Sequence, residues 1–145
     1  MKIGLLYSSH TGNNQDMAQR IRKQLAEMDS SLEFEEVRIN RETNKMLRNP
    51  DSYTYPEFDA YVIGCFTDCF VCPPYVRDYL KQYPKEKLEG KYVLTFNVHG
   101  GQAGNVRHQL HAILCDKGAL PCAHIVMKYC NNYPGLTYPK SDDQI

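Results

Sequence analysis

A chain of 145 residues with 42% hydrophobic and 23% charged side chains can bury roughly two thirds of its unfolded surface in one domain, without disulfide or metal staples. The 17 Lys and Arg residues balance 17 Asp and Glu, for a formal net charge of +0, so the chain lacks the basic excess of a general nucleic-acid binder and steers charged partners only weakly. No apolar run approaches the about 18 residues of a membrane span, and Lys2 is followed at once by a strand rather than a leader pattern. The expected compartment is the cytoplasm, where six cysteines stay reduced.

Lys2 to Tyr7 reads as an apolar strand, and the helix after it places Met17, Ile21, Leu25 and Met28 on one face. Leu32 to Ile39 sets Leu32, Phe34 and Glu36 against Glu33, Glu35 and Val37, the alternation of an edge strand. Asn40 to Phe58 is polar, carries Pro50 and Pro56, and has room for one short helix. Asp59 to Gly64 and Lys91 to Val98 are continuously apolar, as strands covered on both faces are. Tyr75 to Tyr83 is helical with Val76, Tyr79, Leu80 and Tyr83 on one side. Asn105 to Lys117 is helical with Val106, Leu110, Ile113 and Leu114 inward and Gly118 as its stop. Pro121 to Tyr129 is a fifth strand. This alternation predicts an α/β fold for residues 1–145 as a single domain: an open parallel sheet with right-handed crossovers and helices on both faces.

Ligands of such sheets bind at the carboxyl ends of the strands, which singles out the loops Ser8 to Asn14, Cys65 to Pro74 and Val98 to Asn105. The first is an anion site by its chemistry. A strand opening into a helix N-terminus leaves backbone N–H groups unpaired where the helix dipole is positive. Ser8, Ser9, Thr11, Asn13 and Asn14 add side-chain donors, His10 lies inside the loop, and Gly12 lets the backbone bend around a phosphate. Neither the Gly-Lys-Ser/Thr of a triphosphate loop nor the Gly-x-Gly-x-x-Gly of a dinucleotide loop is present.

Ser9-His10-Thr11-Gly12-Asn13-Asn14 resembles the flavin-phosphate loop of flavodoxins, Ser/Thr, any, Thr, Gly, any, Thr, with Asn14 at the last position. Asn97-Val-His-Gly-Gly-Gln-Ala-Gly104-Asn105 is similar to the Thr-Tyr-Gly-Gly, two residues, Gly segment of the flavodoxin domains often fused to ferredoxin modules, with His99 at the tyrosine. Gly64 to Pro73 resembles their second loop, with Asp68 in its aromatic slot and Pro73 in register. Met127-Lys-Tyr-Cys-Asn-Asn-Tyr133 is similar to their Met-Pro-Asn-Asn-Tyr. The resemblance implies a flavodoxin-like sheet of strand order 2-1-3-4-5 and a flavin mononucleotide (FMN) cofactor. Its phosphate would sit on residues Ser8 to Asn14. Its ring would lie between Cys65, Phe66, Thr67, Asp68, Cys69 and Phe70 on one side and Val98, His99, Gly100, Gly101 and Gly104 on the other. With Asp68 and His99 at the usual aromatic positions, Phe66, Phe70 or the imidazole takes over stacking. A flavodoxin also has a last helix, and Cys130 to Ile145, rich in proline and polar groups, shows none. The apolar face it would cover is then left to a partner, to a second copy in a homodimer, or to the tail through Tyr133, Leu136 and Tyr138.

The resemblance implies an electron carrier between a reductase or ferredoxin-type protein and an acceptor; the residues offer no separate catalytic group, and charge and hydropathy predict neither nucleic acid nor membrane as partner. His108, His111 and His124 read as structural. An FMN-dependent NAD(P)H or quinone reductase would use the same fold, and a flavin-free interaction domain is the non-redox alternative. Cys65-x3-Cys69-x2-Cys72 has the spacing of the cluster motif in radical S-adenosylmethionine enzymes but follows the third strand of a chain too short for their barrel of about 200 residues. As a plainer alternative, those thiols with His99 or Cys130 would suit zinc or an iron-sulfur cluster.

Overall fold

A computed structural model describes residues 1–9, 12–40, 42 and 53–128. In chain order the elements are β1 (Lys2–Tyr7), α1 (Asn13–Met28), β2 (Glu33–Arg38), β3 (Ala60–Phe66), α2 (Pro74–Gln82), α3 (Lys85–Leu88), β4 (Tyr92–His99), α4 (Val106–Asp116) and β5 (Leu120–Lys128). The strands pair in parallel as one sheet of order β2-β1-β3-β4-β5. Strand and helix positions agree with the sequence reading to within two residues at the ends that can be compared. Most of the polar stretch before Phe58, Tyr129 and the segment from Cys130 onward lie outside the described residues, as do the expected short helix and the expected lack of a last helix. Among the described residues no helix is long and apolar enough to cross a membrane.

Period-two alternation splits the core between the faces of the sheet. Ile3, Leu5, Tyr7, Val62, Phe96, Val98 and Met127 face α1, which buries Met17, Ala18 and Ile21 against them. Leu6, Tyr61, Ile63, Cys65 and Val93 face the other way, toward Val76, Tyr79, Leu80 and Tyr83, then Leu88, then Val106, Leu110 and Leu114. Met28, expected on the buried face of α1, is 81% exposed. It is the last residue of the helix, and the buried residues of α1 all lie in its first nine positions. Beside α1 an apolar groove of about 430 Å³ runs between Met17, Ile21 and Leu25 on the helix and Leu94 and Ile125 on the sheet.

The two sheet edges are protected differently. β2 exposes Glu33, Glu35 and Glu36, charges that discourage pairing with another chain. β5 carries Pro121 and an irregularity opposite Val93/Leu94 that leaves Cys122 out of register, the position that a strand tolerates only at an edge.

Tyrosines build much of the second face. Tyr53, Tyr55, Tyr61, Tyr79 and Tyr83 pack edge-on or tilted, with centroids 4.8 to 6.0 Å apart, a geometry that suits the ring quadrupole. Their hydroxyls are mostly paired: Tyr53 with Tyr79 at 2.7 Å, Tyr61 donating to the Lys87 carbonyl at 2.9 Å, and Tyr83 donating to the Pro56 carbonyl. The Tyr55 hydroxyl is buried with no partner among the described residues, and burial, helped by Tyr53, pushes its pKa up to about 12.

A buried hydroxyl without a partner costs free energy that a phenyl ring does not. Tyr55→Phe is therefore expected to leave stability at pH 7 unchanged or raise it by about 1 kcal/mol in urea unfolding. The folded state holds the Tyr55 proton more tightly than the unfolded chain, so its contribution is complete below about pH 10 and lost as the pH rises toward 12. The variant should show a shallower alkaline decline over that window. At Gly64 a Cβ would lie 2.2 Å from the fully buried Phe96 ring on the next strand. Gly64→Ala should cost about 1 to 3 kcal/mol of overpacking, read as a lower urea midpoint.

Candidate functional site

The loops after β1, β3 and β4 meet at one edge of the sheet, because parallel strands carry all their carboxyl ends to the same side. At the first loop the Ser8 N–H donates to the Gly64 carbonyl at 3.2 Å, tying the end of β1 to β3. Gly12 then turns with φ +94°, a left-handed conformation that favours glycine. The Ser9 hydroxyl accepts from the Gly12 N–H at 3.1 Å and, more loosely, from the Gln15 N–H at 3.4 Å, so it caps α1 from outside. Asn13 and Asn14 open the helix and are both buried. His10 and Thr11 lie outside the described residues.

Ser8 is 0% and Asn14 2% exposed, and neither Ser8 Oγ nor Asn14 Oδ1 has a hydrogen-bond partner among the described residues. Native interiors pair such atoms almost without exception. Both lie at a helix N-terminus, where the helix dipole is positive.

The second loop is a tight turn. Asp68 and Val71 exchange backbone hydrogen bonds at 2.8 and 3.0 Å around Cys69 and Phe70, which have φ of +48° and +71°. That sign pattern belongs to type I′ turns, normally Asn-Gly. Side chains there store strain of order 1 to 3 kcal/mol each, a feature of ligand clamps. The result is that Phe70 is 59% exposed at the site edge, with Cys69 exposed beside it.

The third loop holds the turn in place. The Asn105 N–H donates to the Phe70 carbonyl at 2.8 Å, and Gln109 of α4 accepts from the Cys72 N–H at 2.6 Å. Gly104, with φ +63°, passes so close that a Cβ would stand 2.2 Å from the Phe70 carbonyl oxygen. No other residue fits. The Thr67 N–H reaches the Val98 carbonyl at 3.2 Å, and the Thr67 hydroxyl donates to the Ala103 carbonyl at 3.0 Å. His99 ends β4 opposite Lys128. Its imidazole is held below the usual histidine range by burial, with the Lys128 charge acting in the same direction and a backbone hydrogen bond at Gly101 opposing them.

The structure thus places Thr67, Asp68, Cys69 and Phe70 against the loop of Gly100, Gly101 and Gly104. Phe66 is half-buried at the strand end, while the Cys65 and Val98 side chains point into opposite core faces, leaving only their backbone to the site. The cysteines do not converge on one point. Cys65 and Cys72 are fully buried with sulfurs 3.4 Å apart, Cys69 is exposed, and Cys130 lies outside the described residues. Burial and the neighbouring Cys72 push the Cys65 thiol up. Among the described residues no three His, Cys, Asp or Glu side chains are arranged to hold a metal.

The sequence reading passed over a polar strip beneath the site. Thr95 and Asn97 are buried on β4. Thr95 Oγ1 lies 2.9 Å from His111 Nε2 and 2.6 Å from His124 Nδ1, and His124 Nε2 lies 2.8 Å from Asn97 Oδ1. Asn97 Nδ2 donates to Thr67 Oγ1 at 3.0 Å. The available signal was the pair of polar residues two apart in an otherwise apolar central strand.

Comparisons with known proteins agree with this architecture. Curated proteins give no sequence match. Among solved structures, two-electron reduced flavodoxin from Megasphaera elsdenii superposes with TM-score 0.64 at 22% identity, covering 92% of this chain and 88% of that one. An oxidoreductase from Corynebacterium diphtheriae gives TM-score 0.72 at 8% identity over 86% and 80%. Fusobacterium nucleatum flavodoxin bound to flavin mononucleotide gives 0.58 at 17% over 83% and 68%. The flavodoxin domain profile matches residues 4–117, most of the 145-residue chain, and on that match the chain belongs to the flavodoxin domain family.

Proposed function

We propose that the protein binds FMN non-covalently and carries electrons, one or two at a time, between a reductase or ferredoxin-type protein and an acceptor. The observation that carries this reading is the fully buried Ser8 hydroxyl at the mouth of α1, which has no partner among the described residues. A phosphate there would take the proton of that hydroxyl in a hydrogen bond and lie at the positive end of the helix dipole. Ser9, Gly12, Asn13 and Asn14, with His10 and Thr11, complete the phosphate loop.

The ring would be held between Thr67 to Phe70 and His99 to Gly104, which the backbone bonds of Phe70 and Thr67 keep at a fixed separation. Phe70, exposed on its strained turn, supplies the aromatic face that Asp68 does not. The flavin itself supplies the electron chemistry, and the protein contributes placement, shielding and hydrogen bonds to the ring edge. Among the solved relatives, one flavodoxin is described with flavin mononucleotide bound and another in a two-electron reduced state, which supports the same assignment here.

The test is an FMN titration of cofactor-free protein followed by flavin fluorescence, with riboflavin as the phosphate-free control. FMN should bind and survive desalting, with riboflavin far weaker. Ser8→Ala should weaken FMN about tenfold to a hundredfold, the worth of one hydrogen bond to a charged group, and leave riboflavin unchanged, whereas Phe70→Ala should weaken both alike. Failure to retain FMN, or equal affinity for the two flavins, refutes the site. Reduction through a separate reductase supports the carrier role; steady NAD(P)H oxidation by the protein alone would make it an enzyme.

A further inference from the structure

The polar strip in the sheet has a direction that chemistry fixes from one end. A carbonyl oxygen only accepts, so the Thr67 hydroxyl spends its proton on Ala103 O and must accept from Asn97. The Asn97 amino group therefore faces Thr67 and its carbonyl oxygen faces His124. That oxygen also only accepts, so His124 carries its proton on Nε2 and leaves Nδ1 bare. The Thr95 hydroxyl then donates to His124 Nδ1 across the short 2.6 Å contact, in preference to the Ala123 carbonyl at 3.4 Å. Its oxygen in turn accepts from His111 Nε2–H. Every donor along His111, Thr95, His124, Asn97, Thr67 and Ala103 points the same way.

Such a chain is cooperative, and Thr95 and Asn97 are too deeply buried for water to replace a missing partner cheaply. It crosses from α4 and β5 through β4 to the tie between the second and third loops. It moves no proton, because the Asn97 amide in its middle is not a relay.

We propose that His124 is a positioning residue for the ring site: by fixing the Asn97 amide it aims the Thr67 hydroxyl at Ala103 and so holds together the two loops that flank the flavin. Its functional readout rests on the FMN reading above, whereas its structural readout does not. Neutrality of the imidazole is required. Burial first, then the charges of His111 and Arg107 on α4, lower its pKa to about 4, and burial with Arg107 and His108 lowers that of His111.

The experiment compares wild type, His124→Leu and His124→Gln. Gln places an amide N–H where Nε2–H stands and can still donate to Asn97; Leu cannot. In cofactor-free wild type, imidazole 15N spectra at pH 7 should show His124 with the proton on Nε2. Amide exchange at Thr67 should quicken about tenfold in the Leu variant and return to within about threefold of wild type in the Gln variant. Affinities for FMN and for riboflavin should fall in the same order and by the same factor, since the effect acts on the ring loops and not on the phosphate. A proton on Nδ1, unchanged Thr67 exchange in the Leu variant, or Leu and Gln variants that behave alike would overturn the proposal. If wild type binds no flavin, the FMN reading fails, and the tautomer and exchange results still decide the positioning role. Should His124→Leu not fold, Thr67→Val removes the far end of the chain without touching the histidines, and unchanged exchange at Asn105 and Gly104 would overturn it.

Discussion

Parallel pairing is the constraint on which everything else here depends. Each strand of a parallel sheet must be reached by a crossover, and each crossover in this chain leaves the sheet at the same edge. β1, β3 and β4 are neighbours in the order β2-β1-β3-β4-β5, so the loops that follow them come together even though they begin at residues 8, 67 and 100. The register makes the meeting exact at one point: Tyr7 lies opposite Gly64, and Gly64 opposite Phe96. With no side chain, Gly64 gives the Phe96 ring its place on the face that α1 covers. The loop ends rest on this packing and need little apolar surface of their own.

Above that base the loops hold one another by backbone and polar contacts. Phe70 to Asn105, Thr67 to Val98, Thr67 to Ala103 and Cys72 to Gln109 all join the second loop to the third loop or its helix. The first loop contains the buried Ser8 Oγ and Asn14 Oδ1, which have no partner among the described residues. The second and third loops are thus tied to each other, while the first keeps polar atoms in reserve, a division that fits the proposed ligand, flat at one end and charged at the other.

The sheet was legible because its signals are strong and local. β1 and β3 are almost wholly apolar and β4 is interrupted only by Thr95 and Asn97 before its last residue, and α2 and α4 space their apolar residues at helical intervals, which burial then matches: Val76, Tyr79, Leu80 and Tyr83, then Val106, Leu110 and Leu114. The turn between β1 and α1 was legible because a glycine among hydroxyl and amide residues ends an apolar run and precedes a helical one. The histidines read as structural, but the sequence does not show that two of them share one network. His111 and His124 lie on different elements, and only the β4–β5 register, which sets Thr95 opposite His124, shows them as neighbours. The tyrosine cluster was missed for a related reason: Tyr53 and Tyr55 sit in a stretch that reads as polar, and their value appears only against Tyr79 and Tyr83 of α2. Nor does sequence reveal that Cys69 and Phe70 take left-handed backbone, since neither residue type asks for it.

Under the proposed FMN role, the second-loop turn sets stability against binding at Phe70. Glycine at position 70 would relieve the left-handed strain there, and a chain selected for stability alone would adopt it. The energy held in the Cys69–Phe70 turn is what it costs to keep an aromatic ring in the open beside the glycine-rich loop. Position 70 should therefore be where laboratory selection for thermal tolerance and selection for ligand binding diverge first.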